Sequence, residues 1–86
     1  MEQILEHRKQ IDEIDLKLLE LFVRRFEVVA KIMEFKRKNN IPALDEKRWN
    51  EVLQKMIEKW KLSGLSEDFV KDIWNRIHEE SLRIKK

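Results

Sequence analysis

Among the residues that could do chemistry, four cations stand out: Arg8, Arg25, Lys36 and Arg48, with Asp45 and Ser81 as polar companions. Arginine grips a carboxylate through two parallel N–H···O bonds, whereas lysine supplies a compact point charge. Such a set suits the binding of a small anion and the stabilisation of negative charge that grows during a reaction. Other chemistries lack their groups. The chain has no cysteine, so neither a thiol nucleophile nor a disulfide is available. Gly64 is the single glycine, which leaves no glycine-rich phosphate loop. The two histidines, His7 and His78, fall far apart, and a metal site would need more ligands, so no metal is expected. His7 reads as a residue that caps or flanks a core, His78 (beside Glu79 and Glu80) as a surface residue. No serine nucleophile is expected at Ser81.

These cations must be positioned by helices. Residues 3–38 contain no glycine or proline and repeat every seven residues. Glu6, Glu13, Glu20, Glu27 and Glu34 form one row, followed four residues later by Gln10, Lys17, Arg24, Lys31 and Lys38. Glu before Lys or Arg at this spacing is the favourable order on a solvated helix face. Opposite this charged wedge lie apolar rows. One holds Ile4, Ile11, Leu18 and Ile32, with Arg25 as its charged member. A second holds Ile14, Leu21, Val28 and Phe35, with His7 at its head. A third contains Arg8, Asp15, Phe22, Val29 and Lys36, and the heptad wheel makes it the most buried line. Arg8, Arg25 and Lys36 thus stand where apolar residues are expected, with only Asp15 to balance them. Long cationic side chains can run their stems along a core and keep their heads in water. Three together on the buried side instead suggest that an external anion supplies part of the compensation.

Asn39 or Asn40 can take the left-handed stop after this helix. Asp45 is a good N-cap for a second helix over 46–62, with Trp49, Val52, Leu53, Met56, Ile57 and Trp60 on its apolar face. Gly64 ends it. Ser66 caps a third helix over 67–85, whose stripe runs Phe69, Val70, Ile73, Trp74, Ile77 and on through Ser81 and Lys85. No segment reads as a strand, so the fold class is all-α, in a single domain over 1–86.

Spacing along the first helix constrains any shared site. Arg25 and Lys36 lie about 16 Å apart on nearly one face, close enough for two long side chains to grip a small dianion. Arg8 is about 25 Å from Arg25 and cannot reach the same ligand from the same helix. An antiparallel copy of the helix could deliver it. The helix would also be about 54 Å long, against a radius of gyration of about 12 Å for a compact chain of this size. Its overhanging apolar face points to a homodimer. The net charge of +2, with 42% charged residues of mixed sign, argues against nucleic acid as a partner. No stretch is apolar over the roughly 18 residues a membrane span requires, and the N-terminus lacks an apolar signal region, so a cytoplasmic location is expected.

With these residues in order, the chain resembles the all-helical chorismate mutases, intertwined dimers of three-helix subunits. The resemblance covers essentially the whole chain. It rests on Arg8 before Ile11-Asp12-Glu13-Ile14-Asp15, on Leu18-Leu19 and Arg24-Arg25, on Lys36, on the Pro-x-x-Asp-x-x-Arg junction from Pro42 to Arg48, and on Ser81. It implies rearrangement of chorismate to prephenate, a pericyclic step without nucleophile, proton transfer, metal or cofactor. By that resemblance Arg8 of the partner subunit and Arg25 hold the substrate carboxylates. Lys36 points at the ether oxygen, Asp45 meets the substrate hydroxyl, and Arg48 and Ser81 complete the carboxylate side. Two positions depart from the family pattern. Trp49 stands where Glu often follows the junction arginine, and Lys85 stands where Gln commonly meets the ether oxygen. The alternatives are an isochorismate-pyruvate lyase on the same fold and a non-catalytic helical dimerisation module. The latter gives no reason for cations on the buried line.

Overall fold

The computed structural model of the chain describes residues 1–84. It contains three α-helices and, among the described residues, no strand: α1 Glu2–Lys38, α2 Glu46–Trp60 and α3 Glu67–Arg83. The expected all-helical, three-helix class is therefore what the chain adopts. Lys85 lies outside the described residues.

Local chemistry sets the boundaries. At the end of α1, Asn40 takes the left-handed conformation with φ 55°. Ile41 N then donates to the Lys36 carbonyl at 2.8 Å and Asn40 N to that of Arg37 at 3.4 Å, the paired bonds of a Schellman stop. The Asp45 carboxylate accepts from Arg48 N at 3.0 Å and opens α2. Helix α2 stops at Trp60, two residues short of the expected end, because the Ser63 hydroxyl donates to the Trp60 carbonyl at 2.6 Å and accepts from Leu65 N at 3.1 Å. Gly64, at φ 86°, makes the turn. Ser66 caps α3 by accepting from Phe69 N at 3.1 Å.

Helix–helix packing joins α2 to α3 and α1 to α3, but not α1 to α2. The core is small: Val70, Ile77 and Ser81, all on α3, are the buried residues among those described. On α1 the covered line is Phe22, Phe26, Val29, Met33 and Lys36, each half-buried. Phe22, Val29 and Lys36 belong to the row expected to be most buried. Arg8 and Asp15, the N-terminal members of that row, are exposed, because α3 packs only against the C-terminal half of the helix. The result is an elongated molecule, 57 × 25 × 15 Å, with a radius of gyration of 16.5 Å against about 12 Å for a compact chain of this length.

Candidate active site at the α1–α2 junction

The Schellman stop and the connector behind it fold around Lys36. The Lys36 backbone carbonyl receives Ile41 N, and its ammonium donates to the Ala43 carbonyl at 3.3 Å. This bond holds the side chain half-buried beside the connector. An open cleft of about 490 Å³ lies there, lined by Lys36, Ile41, Pro42, Leu44, Asp45 and Glu46. Lys36 and Asp45, at the two ends of the connector, thus share one cavity wall. The Asp45 carboxylate is already engaged as the cap of α2, which also fixes the backbone of Arg48 one turn on.

Arg48 faces Arg25 electrostatically. Burial, and secondarily the Arg48 charge, lower the pKa of the Arg25 guanidinium below its ordinary value. Arg25 is nonetheless exposed over much of its surface, less enclosed than its place among apolar residues led one to expect. Among the described residues, no carboxylate lies within 4 Å of Arg8, Arg25, Lys36 or Arg48. Arg83 is a contrast: it makes two bonds of 2.6 Å to Glu80 on its own helix, which hold the Glu80 carboxyl below its usual range and raise the Arg83 pKa. The neutralised arginine is local; Arg25 and Arg48 come from different helices, and among the described residues neither has a carboxylate within 4 Å.

Ser81 is buried and donates its hydroxyl to the Ile77 carbonyl at 2.9 Å. It would have to leave that bond to donate to a ligand. No serine nucleophile is expected at Ser81, although His78 stands one turn before it. The His78 ring is stacked on Trp49, with centroids 4.2 Å apart and planes 13° from parallel. His78 is therefore half-buried, not the surface residue expected. The partnership with Trp49 crosses between helices and has no signal in local sequence. His7 is exposed in the overhanging part of α1 rather than flanking a core in this chain. Arg8 shares that overhang and is not brought near Arg25, consistent with the 25 Å or so that separates them along the helix.

A second concavity, of about 450 Å³, is apolar. It is lined by Phe22, Phe26, Phe69, Ile73 and Ile77, with Asp72, Arg76 and Glu80 around them. It carries no unpaired cation suited to an anion and lies on the face shared by α1 and α3.

The family model described as chorismate mutase type II matches residues 7–86. The chain belongs to the chorismate mutase type II family. It is 30% identical over 81 residues to the T-protein of Haemophilus influenzae, covering 94% of this chain and 22% of that protein. It is 31% identical over 83 residues to a bifunctional chorismate mutase/prephenate dehydratase of Buchnera aphidicola (subsp. Schizaphis graminum), covering 96% of this chain and 22% of that protein. A bifunctional chorismate mutase/prephenate dehydratase of Aquifex aeolicus is 37% identical over 57 residues, 66% of this chain and 16% of that protein. The chain thus spans about a fifth of the length of these relatives. No solved structure gives a significant match.

Proposed function

We propose that this chain is a chorismate mutase that rearranges chorismate to prephenate in aromatic amino-acid biosynthesis. The observation that carries the reading is the cleft that Lys36 and Asp45 line together, with the Arg48 charge felt at Arg25 nearby and no carboxylate within 4 Å of these cations among the described residues. Like charges brought near one another without a counter-ion favour the binding of an anion between them. A dicarboxylate is such an anion. Membership of the chorismate mutase type II family supports chorismate as that dicarboxylate.

Each residue then has a task. Arg25, with Arg48 beside it, pairs with the substrate carboxylates and holds the compact conformer in which the reacting carbons approach. Lys36 donates to the ether oxygen as its bond to carbon breaks and negative charge accumulates there. The Ala43 carbonyl keeps the ammonium in place until substrate arrives. Asp45, at the rim of the same cleft, accepts from the substrate hydroxyl. Ser81 exchanges its Ile77 bond for one on the carboxylate side. Lys85 acts as a second donor near the ether oxygen. The step is intramolecular, so the protein contributes positioning and electrostatics while the substrate supplies every bond made and broken.

The same proposal includes a homodimer with antiparallel α1 helices, and a cytoplasmic setting. Ile4, Ile11, Ile14, Leu18, Leu21, Val28, Ile32 and Phe35 are each between 48% and 61% exposed in the single chain, an extent of apolar surface that a partner helix would cover. Such a partner brings its own Arg8 to the site built by Arg25 and Lys36. No helix among the described residues is long and apolar enough to cross a membrane.

The test is direct. Purified protein incubated with chorismate is expected to form prephenate. Absence of prephenate, with pyruvate released from isochorismate instead, would assign the site to a lyase.

A further inference from the structure

We propose that Trp49, stacked on His78, is a positioning residue that fixes Arg48 in the active site. The inference rests on the mutase reading above and deepens it. Because α1 and α2 are joined by the connector but not packed on each other, the placement of Arg48 relative to Arg25 depends also on α3, which packs on both. The end of α2 that carries Arg48 therefore needs its own anchor on α3. Trp49 is the residue next to Arg48, and its backbone N donates to the Asp45 carbonyl at 3.0 Å in the first turn of α2. Its indole lies flat on the His78 imidazole, with centroids 4.2 Å apart and planes within 13°. Two stacked rings favour one another's orientation and so link the elements that bear them. His78 lies one turn before Ser81, so the stack ties the Asp45–Arg48 turn to the part of α3 that carries Ser81.

The chemistry of the side chain supports this assignment over direct contact with substrate. Where the family often has Glu, Trp49 has no carboxylate to accept a hydrogen bond, and an indole N–H can only donate. Its surface is half-buried against α3. The residue acts through Arg48, and its loss is visible only where Arg48 is present.

The experiment is a double-mutant cycle on the full chain, with kcat/KM for chorismate measured well below the melting temperature and at enzyme concentrations that keep slow variants measurable. Trp49→Ala is expected to lower kcat/KM about tenfold, because a misplaced binding group loses near-attack geometry. In an Arg48→Ala background the same change is expected to cost less than about twofold. Trp49→Phe, which keeps a flat ring, should stay within about twofold of the parent. His78→Ala removes the stack from the other side and should reproduce the Trp49→Ala loss; it carries the test if Trp49→Ala does not fold. Equal losses in both backgrounds, or a fall in melting temperature with kcat/KM unchanged, would overturn the positioning role and leave the mutase reading standing. A parent protein inactive on chorismate would overturn both.

Discussion

The two halves of α1 carry the same heptad pattern in different surroundings. From Phe22 to Lys36 the helix is half-covered by the rest of its own chain, and its cations look across to Arg48 and the connector. From Ile4 to Leu21 nothing covers it, although its apolar rows are as regular. Solvent alone does not select a regular apolar stripe on a helix; a partner surface does. The difference teaches that one chain gathers most of the residues proposed for the site but covers only part of the apolar surface of its longest helix. The exposed half is the piece each subunit is expected to contribute to the other.

The most severe way to break this comparison is to charge the overhanging half. Ile14→Lys with Leu21→Lys alters residues that are 56% and 57% exposed in the single chain. Were that surface solvent-facing in solution, such changes would alter stability by no more than about 0.5 kcal/mol each. If it is a buried dimer face, the variant is expected to lose the dimer, most of its helicity and all activity. Sedimentation and circular dichroism read the outcome; a folded, compact parent monomer at micromolar concentration would sink the dimer.

The covered half is tested by Arg25→Ala. Loss of a charge-assisted pair with a carboxylate should remove roughly 1.5–3 kcal/mol of substrate stabilisation, about ten- to a hundredfold in kcat/KM. The dimer should stay folded. The direction of the Arg25 pKa sharpens this. A base whose pKa is lower in the folded than in the unfolded protein weighs against folding wherever it is protonated, which includes the whole neutral range. The penalty disappears only as the pH rises through the folded value towards the unfolded one. Arg25→Gln should therefore match or exceed the parent in melting temperature near neutrality. Malonate, a small dicarboxylate, should stabilise the parent more than the variant. Equal stabilisation of both proteins would detach Arg25 from the anion site.

A smaller effect is expected at Ser81. Its hydroxyl is satisfied by the Ile77 carbonyl, so Ser81→Ala removes one donor without stranding a buried partner of its own. A loss of less than about tenfold in kcat/KM, with little change in melting temperature, is expected by steady-state kinetics and thermal melts. A loss as large as that for Arg25→Ala would place Ser81 at the centre of the carboxylate contact.

Much of this was legible in the sequence, for physical reasons that differ by residue. The absence of glycine and proline and the strict heptads specify α1 locally. Asn40, Asp45 and Ser66 specify turns and caps through bonds that span only a few residues. The cations were visible because charge on an apolar row is conspicuous. Relations between helices were not legible. Which half of α1 is covered depends on where the connector turns α2 and α3 back. The Trp49–His78 stack depends on the α2–α3 angle, which no local pattern encodes. The early end of α2 came from the Ser63 hydroxyl competing for the Trp60 carbonyl, a side-chain choice that an apolar stripe does not register.

The exchange of Arg8 between subunits is tested most directly by complementation. Arg8→Ala and Arg25→Ala, each at about a tenth of the parent activity or less alone, are mixed, unfolded and refolded together. In a mixed dimer with shared sites, one site carries both lesions and the other carries neither. With random pairing, half the dimers are mixed and each has one good site of two, so activity should approach about a quarter of the parent value if the sites are independent. The mixture of Lys36→Ala with Arg25→Ala is the control: both residues belong to one chain's part of the site, so no activity should return. Mixed dimers confirmed by mass spectrometry but without activity in the first mixture would show that Arg8 is not supplied by the partner subunit.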